Sequence, residues 1–146
     1  MSEGLYMPPV EVATVREGAR LPERAYEGDA CFDVYAAERR TITPGWPVSV
    51  PTGLAMAVPE GFVGLLKPRS GLALRHGVQV LGGVIDPGYR GEIMVLMLAA
   101  QPVALEAGCA VAQVHFTTAL HPEFSVVSEL DDGTERGGRG FGSSDS

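Results

Sequence analysis

Lysine is nearly absent from this chain, cysteine is scarce, and no apolar stretch is long. Of 11 cationic residues only Lys67 is a lysine, and 18 acidic residues bring the formal charge to −7. That deficit excludes a broad nucleic-acid-binding surface, which needs clustered Lys and Arg. It leaves room for a small polyphosphate, which needs only a few local cations and amides, and arginine is the better residue for bidentate phosphate contacts. Cys31 and Cys109 form no CxxC pair, so free thiols in a reducing compartment are expected rather than a disulfide. His76, His115 and His121 are too scattered to suggest a zinc site. No run approaches the roughly 20 apolar residues that span a bilayer. Met1 to Arg20 carries acids early and lacks an apolar h-region, so no signal peptide and a cytoplasmic location are expected.

What is present is a chain of 146 residues, 45% of them apolar. That length fits one domain, which buries about 68–70% of its unfolded surface without help from metals or disulfides. Proline and glycine recur every few residues, which breaks long helical patterns and favours short strands. Leu54, Met56 and Val58 alternate with small residues between two turn signals. Ile93 to Leu98 is a continuous apolar run, read as a strand buried on both faces. Ala110 to Phe116 reads as another strand, with Gln113 and His115 opposite Val114 and Phe116. One helix is expected, capped by Ser70, with Leu72 to Arg75 as its body and Gly77 as its C′ residue. The sum is an all-β sandwich or β-barrel-like domain with one short helix.

Three segments carry chemistry. Val84 to Glu92, VIDPGYRGE, puts a carboxylate and an aromatic ring on one tight hairpin, a combination suited to holding a water beside a small ligand. Asp-Pro-Gly is also an ordinary turn sequence, in which Asp86 would only bond turn amides. Pro68 to Ala73, PRSGLA, would aim Arg69, the Ser70 hydroxyl and first-turn amides at one anion, or would be no more than a capped helix with a surface arginine. The tail from Arg136 to Ser144, RGGRGFGSS, reads as a solvated Gly/Ser terminus. Its lone Phe141, its close-approach glycines, its arginine and its paired serines would equally make a lid over a phosphorylated ring. Gln113 is either a site residue or a polar residue on an open strand face.

In order and spacing these segments resemble the five motifs of the trimeric dUTP pyrophosphatases (dUTPases). The first is Asp29 to Ala36, DACFDVYA. The second is PRSGLA, and the third runs from Gly83 to Glu92. The fourth is Gly108 to Gln113, and the fifth is Arg136 to Ser144. Asp86 follows Ser70 by 16 positions, and the resemblance covers nearly the whole chain. It implies a distorted jelly roll over residues 1–130, with a flexible Gly-rich tail, 131–146, closing over a neighbouring subunit's site in a homotrimer. It implies hydrolysis of dUTP to dUMP and pyrophosphate, limiting uracil incorporation into DNA and supplying dUMP for dTMP synthesis. Asp86 would activate the attacking water, and Tyr89 would stack on deoxyribose and exclude a 2′-hydroxyl. Gly83, Val84 and Ile85 would read uracil. Arg69, Ser70, Gly71 and Gln113 would meet the phosphates, joined by Arg136, Phe141, Gly142, Ser143 and Ser144 from the tail. Mg²⁺ would be held by phosphates and water, with no protein ligand.

The chain departs from the family's pattern at Cys31, at Cys109-Ala110 and at Arg139, where a tail glycine is usual. Arg139 would strain the lid if its position needs positive φ, or would add a phosphate contact. Two other readings differ in class. dCTP deaminases share the jelly-roll scaffold but are usually longer, and a regulatory nucleotide-binding module would generally carry insertions.

Overall fold

The computed structural model describes residues 6–142. Ten strands and one helix follow one another in the chain: β1 Glu11–Thr14, β2 Phe32–Tyr35, β3 Arg40–Ile42, β4 Val48–Ala57, β5 Phe62–Pro68, α1 Ser70–His76, β6 Gln79–Leu81, β7 Val84–Ile85, β8 Glu92–Leu98, β9 Val103–Leu105 and β10 Ala110–Thr118. They form two four-stranded sheets, ordered β1-β4-β8-β6 and β2-β10-β5-β7, and a two-stranded β3-β9 sheet. Every pairing is antiparallel, and none of the sheets closes into a barrel. Val50, Leu54, Val95 and Met97 of the first sheet share one core with Val34, Leu66, Val111 and Val114 of the second, and with Ile42 and Leu105 of the third. The expected all-β sandwich of jelly-roll type is what the chain forms.

Strand alternation produces this core. In β8 the side chains of Ile93, Val95 and Met97 point inward and are 3% exposed or less, as a period of two requires. Met94 and Leu96, on the other face, are 37% and 39% exposed. The expectation that this run is buried on both faces is therefore corrected for the single chain, where no second layer covers that side. An apolar run alone does not say whether the second layer belongs to the same chain.

β4 bends where its register against β8 breaks, between Pro51 and Ala55. Buried Thr52 makes the break tolerable. Its hydroxyl donates to Ile93 O at 2.6 Å and accepts from Leu54 N–H at 3.2 Å, so no polar group is orphaned there. The helix also differs from expectation in one respect. Arg69, with extended backbone, is the N-cap residue and makes no side-chain capping bond, while Ser70 is the first helical residue. Residue type favoured serine as the cap, but backbone geometry places the boundary one residue earlier. At the other end Gly77 adopts φ 63° and closes the helix with N–H bonds to Ala73 O and, from Val78, to Leu72 O, as a C-terminal glycine should. After Thr118 the chain has no further strand or helix among the described residues, and Leu120, Phe124, Val126 and Leu130 are exposed.

Candidate functional site

Gly82 and Gly83 steer the chain from the first sheet into the second. Both have positive φ, 65° and 87°, a region open to glycine at little cost. A Cβ on Gly83 would stand 2.8 Å from Leu66 O, and Leu66 N–H donates to Gly83 O at 2.7 Å. The close approach lets β7 pair with β5, with Ile85 opposite Gly64 and Val84 opposite Leu65. The hairpin then turns at Asp86-Pro87-Gly88-Tyr89, closed by Tyr89 N–H to Asp86 O at 3.1 Å. Proline suits the second position of such a turn because its φ is preset.

This hairpin lines a groove of about 220 Å³. Gly83, Val84, Ile85, Asp86 and Tyr89 all border it, with Met94 at its edge. Five of the candidate residues are thus brought together. Asp86 is exposed and so open to water and ligand, and Val84 and Tyr89 present apolar surface. The Tyr89 ring folds back against Gly91, where a Cβ would collide with it, and its hydroxyl donates to Glu92 O at 3.0 Å. A carboxylate, a flat ring and free backbone edges in a narrow groove can hold a small planar ligand and a water.

A second cluster forms where β10, β2 and β5 meet. Gln113 lies opposite Asp33 on one side and Lys67 on the other, and its amide donates to Pro68 O at 3.0 Å. Arg69 Nε stands 3.3 Å from Asp33 Oδ1, and Ser70 and Gly71 follow it into α1. Arg69 and Gln113 are thus near neighbours, but neither borders the hairpin groove. Arg69 is five residues along the chain from Gly64, the partner of Ile85, which is roughly 16 Å of extended strand. One chain therefore presents its carboxylate and its candidate phosphate-binding residues as two separate places.

The tail is a third place. Arg136 Nε donates to Arg139 O at 2.7 Å and Arg139 Nε returns to Arg136 O at 3.0 Å. A further Arg139 guanidinium bond reaches Glu135 O. Arg136, Phe141 and Gly142 are exposed, Phe141 completely. Positive φ falls on Gly137, Phe141 and Gly142 and not on Arg139, so the arginine at a usual glycine position causes no backbone strain in this conformation. Ser143 and Ser144 lie outside the described residues.

Sequence reading gave no role to the groups that brace the hairpin. Arg16 grips Glu92 with two bonds, Nε to Oε2 at 2.9 Å and NH2 to Oε1 at 2.8 Å. Gly53 N–H adds a third bond to Glu92 at 2.9 Å. Arg16 also holds Glu38 at 2.8 Å, and Arg40 holds Glu38 from the other side at 2.9 Å. Hydrogen bonding to Arg16 holds the carboxyls of Glu92 and Glu38 below the usual range, and the same bonds raise the Arg16 guanidinium. Burial pushes the Cys109 thiol and the Tyr35 phenol up, and both cysteines are free. Glu92 closes the quoted hairpin motif, so it was visible, but its arginine is 76 positions away.

Among the described residues no three His, Cys, Asp or Glu side chains gather as metal ligands. The donors present suit a divalent cation that reaches the protein through a ligand's phosphate oxygens and water. No helix among them is long and apolar enough to cross a membrane.

Comparison with known proteins adds the following. The dUTPase family model matches residues 17–145. A deoxyuridine 5'-triphosphate nucleotidohydrolase of Mycolicibacterium vanbaalenii is 42% identical over 147 aligned positions, covering 93% of this chain and 96% of that protein. One from Mycobacterium avium is 44% identical over 136 positions, covering 87% and 88%. Among solved structures, a dUTPase of Staphylococcus bacteriophage 80alpha with dUpNHpp superimposes with a TM-score of 0.83 at 27% identity, covering 93% of this chain and 98% of that one. A dUTPase from phage phi11 of S. aureus, described with a structural Mg(II) ion, gives a TM-score of 0.78 at 25% identity, covering 84% and 99%.

Proposed function

The chain belongs to the dUTPase family, and we propose that it hydrolyses dUTP to dUMP and pyrophosphate at a site completed by three copies of itself. The observation that carries this reading is the hairpin groove, where Asp86 and Tyr89 flank the free backbone edge of Gly83 to Ile85. Uracil enters against that edge, where a donor–acceptor mismatch rejects cytosine because buried unpaired groups are costly. Tyr89 lies on the deoxyribose and leaves no room for a 2′-hydroxyl.

Asp86 orients a water and accepts its proton as the water oxygen bonds to the α-phosphorus. The bond from that phosphorus to the bridging oxygen breaks, and the electron pair leaves with pyrophosphate. Arg69, Ser70, the Gly71 N–H and Gln113 hold the phosphates, and Arg136, Phe141, Gly142, Ser143 and Ser144 close over them. Mg²⁺, held through phosphate oxygens and water, orients the triphosphate and offsets developing charge when bound.

Three features support a homotrimer with shared sites. Arg69 and Gln113 stand apart from the groove of their own chain. Met94 and Leu96 leave an apolar strand face uncovered. The described tail, from residue 119 onward, is exposed and carries apolar side chains, as a segment that docks on a neighbour would. Free thiols suit a cytoplasmic setting, where the reaction limits uracil incorporation into DNA and supplies dUMP.

Incubation with Mg²⁺ and dUTP, dCTP, dTTP or UTP in turn tests the reading. Pyrophosphate release from dUTP alone is expected. Ammonia from dCTP, or no turnover of dUTP, overturns it.

A further inference from the structure

Glu92 sits at the foot of the hairpin and has two attachments. Its backbone carbonyl accepts the Tyr89 hydroxyl at 3.0 Å. Its carboxylate is fixed by three N–H groups, two from Arg16 and one from Gly53. Those donors come from the link after β1 and from the bend of β4, so the residue carrying the Tyr89 anchor is tied to two elements outside the hairpin. Little else restrains the ring. Tyr89 is 46% exposed, and only Gly91, which lacks a Cβ, leaves space for it to fold back.

The bracing residues are themselves locked. Gly53 adopts φ 72°, and a Cβ there would stand 2.7 Å from Ala19 Cβ, while Val15 N–H donates to Gly53 O at 2.7 Å. A forked guanidinium–carboxylate pair defines both distance and plane, which a single hydrogen bond does not. We propose that the Arg16–Glu92 pair is a positioning device that fixes the Tyr89 ring and thereby sets the preference for a deoxyribose over a ribose nucleotide. This rests on the function proposed above. Arg16 and Glu92 are positioning residues, since they act through Tyr89.

The test measures kcat/KM for dUTP and UTP together with Tm. Glu92→Gln keeps size and removes charge; Arg16→Lys keeps charge and removes the fork. Each is expected to lower the dUTP-to-UTP ratio about tenfold, the change that follows loss of one charge-assisted hydrogen bond. Arg39→Gln, which breaks the exposed pair with Glu106, should leave the ratio at the wild-type value. Tyr89→Phe removes only the anchoring hydroxyl, so it keeps the question open to measurement if the charge variants do not fold. It is expected to lower the ratio similarly, and combining it with Glu92→Gln should add little. If the wild type prefers dUTP while folded Glu92→Gln and Tyr89→Phe keep the full ratio, the positioning role is overturned and the proposed function stands. If the wild type does not prefer dUTP over UTP, both fall.

Discussion

The hairpin and the tail carry comparable numbers of candidate residues but are held in opposite ways. From Gly83 to Glu92 the backbone pairs with β5, turns through a closed Asp-Pro-Gly bend and ends on a carboxylate held by three donors. From residue 119 onward the described chain pairs with no strand, and Arg136 and Arg139 bond mainly to each other's carbonyls. Groups that must meet an attacking water with sub-ångström accuracy gain from a rigid platform. Groups that must admit a substrate and then cover it gain from having few contacts to break. The chain keeps its carboxylate on the first kind of support and its closing residues on the second.

Variants can break that contrast. The largest effect is expected from Asp86→Asn, which should lower kcat by a factor of about 10³ or more while nucleotide binding, measured by calorimetry with dUpNHpp, stays largely intact. Truncation before Arg136 comes next. It should lower kcat/KM roughly a hundredfold with the Tm of the core unchanged, since residues 136–142 contribute nothing to the buried cluster. A matching drop in Tm would mean that the tail is part of the fold.

Two predictions concern the platform's stability. Thr52→Val leaves Ile93 O and Leu54 N–H without their side-chain partner and should cost about 1–3 kcal/mol in a denaturant titration. The ion-pair network should show as acid sensitivity. The carboxyls of Glu92 and Glu38 are depressed by Arg16, so their stabilising effect is fully present above the unfolded value, about 4.3. It is lost as pH falls through the lower folded values. Replacing Arg16 with Met should flatten Tm against pH in that acid range, whereas an unchanged slope would show that the network contributes little. Glu38 is considerably exposed, so most of the effect should come from Glu92. The smallest change is expected from Arg139→Gly, a two- to fivefold shift in KM for dUTP at low salt. An unchanged KM and salt dependence would remove Arg139 from the phosphate contacts.

Sequence order made the hairpin easy to read, because its turn, carboxylate and ring are consecutive and each has its own local signal. The same holds for Gly77, whose left-handed conformation is what a helix-ending glycine suggests. Three things escaped for different physical reasons. The Arg16–Glu92 pair joins residues 76 positions apart and leaves no periodic trace. The helix cap followed from residue preference, whereas the backbone turns at Arg69. The uncovered face of β8 was hidden because an apolar strand looks alike whether its second layer comes from its own chain or from another. Arg139 raised a question of strain that the backbone answers elsewhere, by placing positive φ on Phe141.

Co-expression of two inactive chains probes the sharing of the site. One chain carries Asp86→Asn with an intact tail; the other keeps Asp86 and ends before Arg136. If hairpin and tail come from different copies, mixed assemblies regain pyrophosphate release from dUTP, because some sites unite an intact hairpin with an intact tail. A mixture that forms mixed assemblies yet stays as inactive as its parents would mean that each chain closes its tail over its own Asp86.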